Sequence, residues 1–309
     1  MDIPVDQLVP MKVSIGVTAH NEAANIGQLL EALAGQETRQ VRIDEILVVS
    51  SGSSDGTDEI VREWEQKDPR VKLLRQEHRE GKASAINLFM REASHDILVL
   101  ESADTIPGPI TVEEMVVPFM NPRVGMSGGR PVPTNKPDTF IGFVVQLLWL
   151  LHHRLAVESP KLGEMVAFRK VFEGMPTDIV NDEAYIEGVI TRKGYLLHYA
   201  PNAIIYNHGP QRILEFLRRR RVVYAGHLQL QKQHGYEPST MSAKKTLGKL
   251  RRVLQGAVSW TPRTVVWVAG AVLLEAVGRL WGYVDFYLTR KNHAIWYMAP
   301  SARKVLLDD

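Results

Sequence analysis

Short apolar runs alternate with segments of helical periodicity over the first 130 residues. Lys12–Ala19 (KVSIGVTA), Glu45–Ser50 (EILVVS), Val71–Leu74, Asp96–Leu100 (DILVL) and Val124–Ser127 are brief and rich in β-branched residues. They predict five buried strands. Between them, apolar positions recur at helical spacing. Ile26, Leu29, Leu30 and Leu33 share one face of a helix that Asn21 can cap and Gly35 can end. Asp55-Gly56-Thr57 opens a second helix with Ile60, Val61 and Trp64 inward, Lys82–Ala93 makes a third, and Thr111–Phe119 a fourth. Strands separated by single helices imply parallel pairing and right-handed crossovers. The expectation is an α/β fold with a doubly wound, mostly parallel, Rossmann-like sheet. Ligands of such sheets bind beyond the carboxyl ends of the strands.

The pattern changes after residue 130. Phe140–Leu151 (FIGFVVQLLWLL) is almost unbroken in apolar character but too short to span a bilayer, so it predicts a buried helix or an interfacial one. Leu196–Asn207 predicts one or two strands, and Leu214–Gln233 a helix with a very basic start. Further on, Lys244, Lys245, Lys249, Arg251 and Arg252 precede a long apolar stretch, Thr264–Leu288. That stretch is long enough to span, but it contains Glu275, Arg279 and Asp285. Charges within a span are costly, which favours a helix or helical hairpin lying on a membrane. Glu275 and Arg279 stand four residues apart and can pair on one helix face. The chain therefore divides at about residue 235, with a helical, membrane-associating region from 236 to 309.

Composition narrows the chemistry. The 309 residues include no cysteine, which excludes disulfides, a thiol nucleophile and thiolate metal sites. A net charge of +2 lacks the basic excess of a dedicated nucleic-acid binder. The opening Met1-Asp2-Ile3-Pro4 has no basic segment followed by an apolar one, and predicts no secretory signal.

Candidate chemistry collects at the predicted strand ends. After the first strand, Thr18-Ala19-His20-Asn21-Glu22 offers a polar turn suited to a nucleotide, or simply a capped turn. After the second, Ser50–Thr57 (SSGSSDGT) permits tight turns and close backbone approach to a ligand. Gly81-Lys82 places a lysine at a helix N-terminus, against the macrodipole, which makes sense if an anion sits there. Glu101-Ser102-Ala103-Asp104 sets two carboxylates on a turn that can hold a divalent cation, Mg²⁺ or Mn²⁺. Asn181-Asp182-Glu183 follows Ile179-Val180 and can supply a general base, or act as an acidic helix start. Arg218–Arg221 can reach phosphates or anionic lipid. His152 and His153 are adjacent, point apart on a helix and read as structural.

In their order, these segments resemble the inverting family 2 glycosyltransferases with the GT-A fold, the group with cellulose synthase-like and hyaluronan synthase-like catalytic domains. The resemblance runs from about residue 11 to 227. Val13–Glu22 looks like the opening strand and nucleotide turn, Val48–Thr57 like the second motif, and Gly81–Asn87 like the Gly-Lys element. Leu100–Pro107 looks like the D-x-D segment, Gly163–Arg169 like the acceptor-side segment, and Asn181–Glu183 like the acidic catalytic motif. The chain departs from the pattern in three places. Ser50-Ser51 stands where a carboxylate is usual, Ser102 replaces the first D-x-D aspartate, and the Q-x-x-R-W motif of processive members is absent.

The resemblance implies a GT-A catalytic domain over residues 1–235. It would transfer a sugar, with inversion, from a UDP- or GDP-sugar to a sugar, lipid or lipid-linked acceptor. By this reading Asp182 is the base and Glu183 its fallback. Asp104, helped by Glu101, holds the metal. Ala19, His20, Asn21, Glu22, Ser51, Lys82, Ser102, Ala103, Arg218 and Arg221 bind the nucleotide-sugar. The expected location is the cytoplasmic face of a membrane with an anionic surface, in cell-envelope or glycolipid synthesis, or the cytoplasm if the C-terminal region simply folds. A non-catalytic nucleotide-sugar binder and a nucleotidyltransferase are the alternatives.

Overall fold

The computed structural model describes residues 9–237, 241 and 260–296. The basic cluster Lys244–Arg252 lies outside the described residues. The first half follows the predicted alternation: β1 (Met11–Ala19), α1 (Ile26–Ala34), β2 (Val41–Ser51), α2 (Thr57–Lys67), β3 (Val71–Gln76), α3 (Lys82–Glu92) and β4 (Ile97–Ser102). Then come β5 (Thr105–Pro107), α4 (Thr111–Val116), a 3₁₀ turn (Val117–Met120), β6 (Val124–Pro133) and α5 (Phe140–Glu158). The remainder is β7 (Val166–Arg169), α6 (Asp182–Arg192), β8 (Leu196–Asn207), α7 (Ile213–His234) and α8 (Pro262–Val284), which ends in a π-helical turn (Asp285–Thr289).

The strands make one eight-stranded sheet of order β3-β2-β1-β4-β7-β6-β8-β5. The predicted parallel half is present: β1 pairs parallel with β2 and β4, and β2 with β3. The far half is mixed, because β7 runs antiparallel to both β4 and β6, and β5 antiparallel to β8.

Strand alternation gives the sheet a core on each face. Val13, Ile15, Val17, Ile46, Val48 and Val99 pack with the buried stripe of α1, Ile26, Leu29, Leu30 and Leu33. Leu47, Val49, Leu98 and Leu100 point the other way, onto Ile86, Phe89 and Met90 of α3 and Ile186 and Ile190 of α6. Each fully buried aliphatic or aromatic side chain contributes about 1.5–3 kcal/mol, so these two layers fix where the strands end.

A third layer of α5, α7 and α8 extends the molecule. Phe140 and Phe143 of α5 meet Trp267 of α8, with ring centroids 6.0 and 5.4 Å apart. Thr139 caps α5 by accepting from the Gly142 N–H, and Thr261 caps α8 from the Thr264 N–H. Helix α8 approaches α7 closely because it presents glycines: a Cβ on Gly278 would lie 2.6 Å from the Arg220 Cβ, and one on Gly282 2.6 Å from the Arg221 carbonyl.

Several expectations are narrowed or revised. Of the two forms expected for the C-terminal apolar stretch, a helix or a helical hairpin, the structure has the single helix. The apolar run at Phe140 continues to Glu158, and much of it is only half-buried, because one face lines a cavity. Asn21 does not cap α1; the N-cap is Asn25. Both helices, Phe140–Glu158 and Pro262–Thr289, are long and apolar enough to cross a membrane by length and composition; 33% and 11% of their apolar windows are buried.

Candidate active site

The carboxyl ends of β1, β2 and β4 lie side by side, with Ala19 opposite Ser50 and Thr18 opposite Ser102. The first two turns interlock there. Asn21 adopts a left-handed φ of 55°, which directs its N–H to the Ser53 hydroxyl at 3.1 Å. Its side-chain oxygen accepts from the Ser54 N–H at 2.8 Å. The Glu22 N–H donates to the Thr57 hydroxyl at 2.9 Å, and the Ala23 N–H to the Asp55 carboxylate at 3.1 Å. His20 Nδ1 lies 2.7 Å from the Ser51 carbonyl; a carbonyl only accepts, so Nδ1 carries the proton. Gly52, with φ of 62°, passes so near the 78–79 backbone that a Cβ would sit 2.6 Å from the Arg79 nitrogen. Serines fit at 50 and 51 for local reasons. Ser50 donates to Asp58, and the Ser51 hydroxyl accepts from the Glu80 N–H at 3.2 Å.

These ends open into a cavity of about 620 Å³. Of the residues singled out in the sequence, Ala19, His20, Glu22, Ser51, Lys82, Ser102, Ala103, Asp104, Asp182, Glu183 and Arg218 line it. Three others do not. Asn21 is spent on the second turn, and Glu101 lies beneath the wall, fully buried. Arg221 pairs with Asp285 and stacks on Trp281, 4.4 Å from the ring centroid.

One lysine organises the chemistry. Lys82 opens α3 and reaches the N-terminus of α6, where its ammonium lies 2.8 Å from Asp182 and 2.9 Å from Glu183. The anion expected opposite this lysine is, in this structure, the carboxylate pair. Burial and the negative charge of Glu183 push the Asp182 carboxyl up to about 7, against the pull of Lys82. Burial also disfavours the charged form of Glu183, but the attraction and hydrogen bond of Lys82 hold it below the usual range. The two carboxyls thus differ in proton affinity while sharing one cation, and they titrate as a coupled unit.

Around this pair the potential is acidic. Both oxygens of Glu101 are buried without a hydrogen-bond partner. Burial, then the charges of Glu164 and Asp104, push its carboxyl well above the ordinary value. Glu164 is itself raised by burial, although Arg219 stands 3.2 Å away. An unpartnered buried carboxylate beside Asp104 is a hard-oxygen environment of the sort Mg²⁺ or Mn²⁺ prefers. Among the described residues no three Asp, Glu or His side chains form a ready-made cage. Mg²⁺ commonly takes one or two carboxylates and completes its shell with substrate phosphates and water, so the donor set fits such an ion.

The sequence reading did not single out Arg79, Lys161, Glu164 or Trp296, all of which line the cavity. Glu164 lay inside a segment already noted, and its left-handed φ of 60° and its burial are not visible in the sequence. Trp296 comes from beyond α8. Its ring N–H donates to the Val180 carbonyl at 2.9 Å, and its own carbonyl accepts from Arg79 at 2.8 Å.

A parallel-to-mixed sheet with a ligand cavity at its strand ends and an acidic turn after the fourth strand accords with the GT-A glycosyltransferase fold that the sequence resemblance implies. Among solved structures, the chain superposes on the mannosyltransferase PcManGT from Pyrobaculum calidifontis, solved with GDP-Man and Mn²⁺. The TM-score is 0.62 with 21% identity, covering 92% of this chain and 91% of that one. Mannosyl-3-phosphoglycerate synthase from Rubrobacter xylanophilus matches with a TM-score of 0.51 and 16% identity, over 73% of this chain and 75% of that one. Residues 14–170, just over half of the chain, match Glycosyl transferase family 2. The chain belongs to that family and is a glycosyltransferase. Poly-beta-1,6-N-acetyl-D-glucosamine synthase from Staphylococcus aureus (strain COL) is 26% identical over 237 residues, 72% of this chain and 56% of that protein. The probable glycosyltransferase YdaM from Bacillus subtilis (strain 168) is 34% identical over 113 residues, 36% of this chain and 27% of that protein. The chain thus spans about half or less of the length of these two relatives.

Proposed function

We propose that this protein transfers a sugar from a UDP- or GDP-sugar to a hydroxyl acceptor, lipid or lipid-linked, with inversion at the anomeric carbon. The observation that carries the reading is the Asp182–Lys82–Glu183 cluster, set in the same cavity as the turn ends of β1, β2 and β4. The acceptor oxygen attacks the anomeric carbon from the face opposite the nucleotide. Asp182 takes the hydroxyl proton, the bond from that carbon to the diphosphate oxygen breaks, and the nucleoside diphosphate leaves with the electron pair. A carboxyl titrating near 7 is well matched to this task, because it is ionised enough to accept a proton and basic enough to hold it. Glu183 keeps its charge and anchors Lys82.

The ends of β1 and β2, with Ala19, His20, Glu22 and Ser51, would line the nucleoside. Lys82 and Arg218, with Arg219, would face the diphosphate. Asp104, with Glu101 behind it, would hold Mg²⁺ or Mn²⁺. The ion supplies charge neutralisation for the leaving diphosphate when bound. The GDP-Man and Mn²⁺ of the Pyrobaculum calidifontis structure accord with this choice. The apolar α8 and the basic segment ahead of it support attachment to an anionic membrane surface on its cytoplasmic side.

The test is Asp182→Asn. Transfer should fall about 10²–10⁴-fold, while thermal-shift binding of the nucleotide with Mn²⁺ is retained. An active Asp182→Asn enzyme would remove Asp182 from the role of base. A panel of UDP- and GDP-sugars in the same assay would identify the donor.

A further inference from the structure

The cavity does not end at the carboxylates. Beyond Asp182 it continues between α5 and α8, where its walls are hydrocarbon. Helix α5 contributes Leu148, Leu151 and Leu155, and α8 contributes Val268, Ala271 and Val272. Most polar groups along this extension are paired; the exception is His152, whose buried Nδ1 has no hydrogen-bond partner and whose ring is neutral. Arg220 of α7 grips Glu275 with both arms, at 2.7 and 2.8 Å, and Arg279 closes on the same carboxylate at 2.7 Å. Lys161 donates to the Leu162 carbonyl at 3.0 Å and lies 3.4 Å from Glu187. Burial, then the charge of Lys161, holds the His152 imidazole neutral, down to about 3, and the buried His227 is held well below its ordinary value in the same way.

A free sugar acceptor would leave these aliphatic side chains facing water. Its own hydroxyls would find few open partners there, and burying an unpaired hydroxyl is unfavourable. A hydrocarbon chain fits the walls, and a cleft that runs without a break into the catalytic cavity keeps its head beside Asp182. We propose that the α5–α8 cleft is a binding site for the hydrocarbon tail of an amphiphilic acceptor, one chain per protein. This rests on the acceptor-side role of Asp182 given above, but the binding itself does not require turnover.

Equilibrium dialysis of the full chain against radiolabelled dodecan-1-ol, below its solubility limit, tests it directly. One saturable site is expected. Comparison with octan-1-ol should show affinity rising about fourfold for each added methylene, the factor that corresponds to about 0.8 kcal/mol per buried CH₂. Ala271→Trp and Leu148→Trp, each of which puts an indole into the cleft, should weaken dodecanol binding at least tenfold, with folding checked by thermal melting. Unchanged binding in either folded variant overturns the proposal. So does an affinity independent of chain length in the unaltered protein, or non-saturable uptake of many chains. The last result would assign the alcohol to the exposed face of α8. Asp182→Asn should bind dodecanol as the unaltered protein does. Loss of transfer with retained binding leaves both readings standing, whereas active Asp182→Asn with intact, cleft-dependent binding would overturn only the catalytic assignment.

Discussion

At the scale of residues, Asp182 couples activity to stability. Its carboxyl ionises near 7 in the folded protein against 3.8 for an ordinary aspartate. The folded state therefore holds a proton that the unfolded chain releases, and stability falls as pH rises through the window from about 4 to 7. Catalysis runs the other way, since a base must be ionised. We expect kcat/KM to rise with pH along a limb centred near 7. Asp182→Asn should lose that limb together with its activity. It should also melt higher than the unaltered protein at pH 8, by about 2–4 °C for each kcal/mol relieved, and gain little at pH 4. Calorimetry at the two pH values, beside a pH–rate profile, checks both halves of the statement. A variant that gains equally at both pH values would mean that charge burial is not the cause.

The same scale explains which parts of the site could be read from the chain. Lys82, Asp104, Asp182 and Glu183 stand at strand and helix ends, and end positions follow from periodicity. Glu101 was legible as an acid but not as a buried, unpartnered one. Its environment is made by Glu164 and Asp104, and Glu164 reaches it only through the tertiary fold. In the arginine run, Arg219, Arg220 and Arg221 are assigned to Glu164, Glu275 and Asp285, and all three acids lie more than fifty residues away. No local pattern could have allotted them.

Among the elements, β1 to β4 were legible because each is a short apolar run between polar turns. Strands β5 and β7 were not. Thr105–Pro107 has only three residues and ends in a proline, which is tolerated because β5 is a sheet edge paired on one side with β8. Val166–Arg169 has four residues and becomes a strand only because β4 and β6 flank it. Packing between α7 and α8 gives a direct test of that layer. Gly278→Ala places a methyl 2.6 Å from the Arg220 Cβ. Overpacking of this kind costs about 1–3 kcal/mol, which denaturant melting would detect. The segment after α8 acts on the catalytic end of the molecule. Trp296→Phe removes the donor to the Val180 carbonyl while keeping an aromatic ring. A neutral hydrogen bond contributes about 0.5–1.5 kcal/mol, so kcat should fall roughly two- to tenfold if that bond holds the start of α6 in place. The melting temperature should fall by no more than about 1–6 °C, and Trp296→His, which keeps a ring N–H, should recover part of the rate.

At the scale of the whole molecule, the C-terminal part is not separable from the cavity. Ala294, Ile295 and Trp296 line it, and Arg220–Glu275 and Arg221–Asp285 tie α7 to α8. Removing everything after residue 240 would therefore disturb catalysis and attachment together. Substitutions on the outward face of α8 separate them. Val266, Leu273 and Leu280 are each more than 60% exposed, which leaves them free of any role in the core. Changing all three to lysine should reduce flotation with phosphatidylglycerol-containing liposomes several-fold without altering nucleotide-sugar hydrolysis. Equal flotation before and after would count against α8 as the contact surface. The net charge of +2 carries little information about such a surface, because the arginine run is largely neutralised inside the protein.

The interlocked turns after β1 and β2 have a consequence for how errors propagate. Asn21, Ser53, Ser54, Asp55 and Thr57 hold one another across some thirty residues of sequence. Neither turn has its shape without the other. Damage to this part of the site should then be non-additive: once Asn21→Ala has loosened the junction, Thr57→Ala has less left to break. A double-mutant cycle on nucleotide affinity would read this as a coupling energy of about 0.5–3 kcal/mol. The two turns would then behave as a single unit, in which the loss caused by changing either one already includes most of the loss caused by changing both.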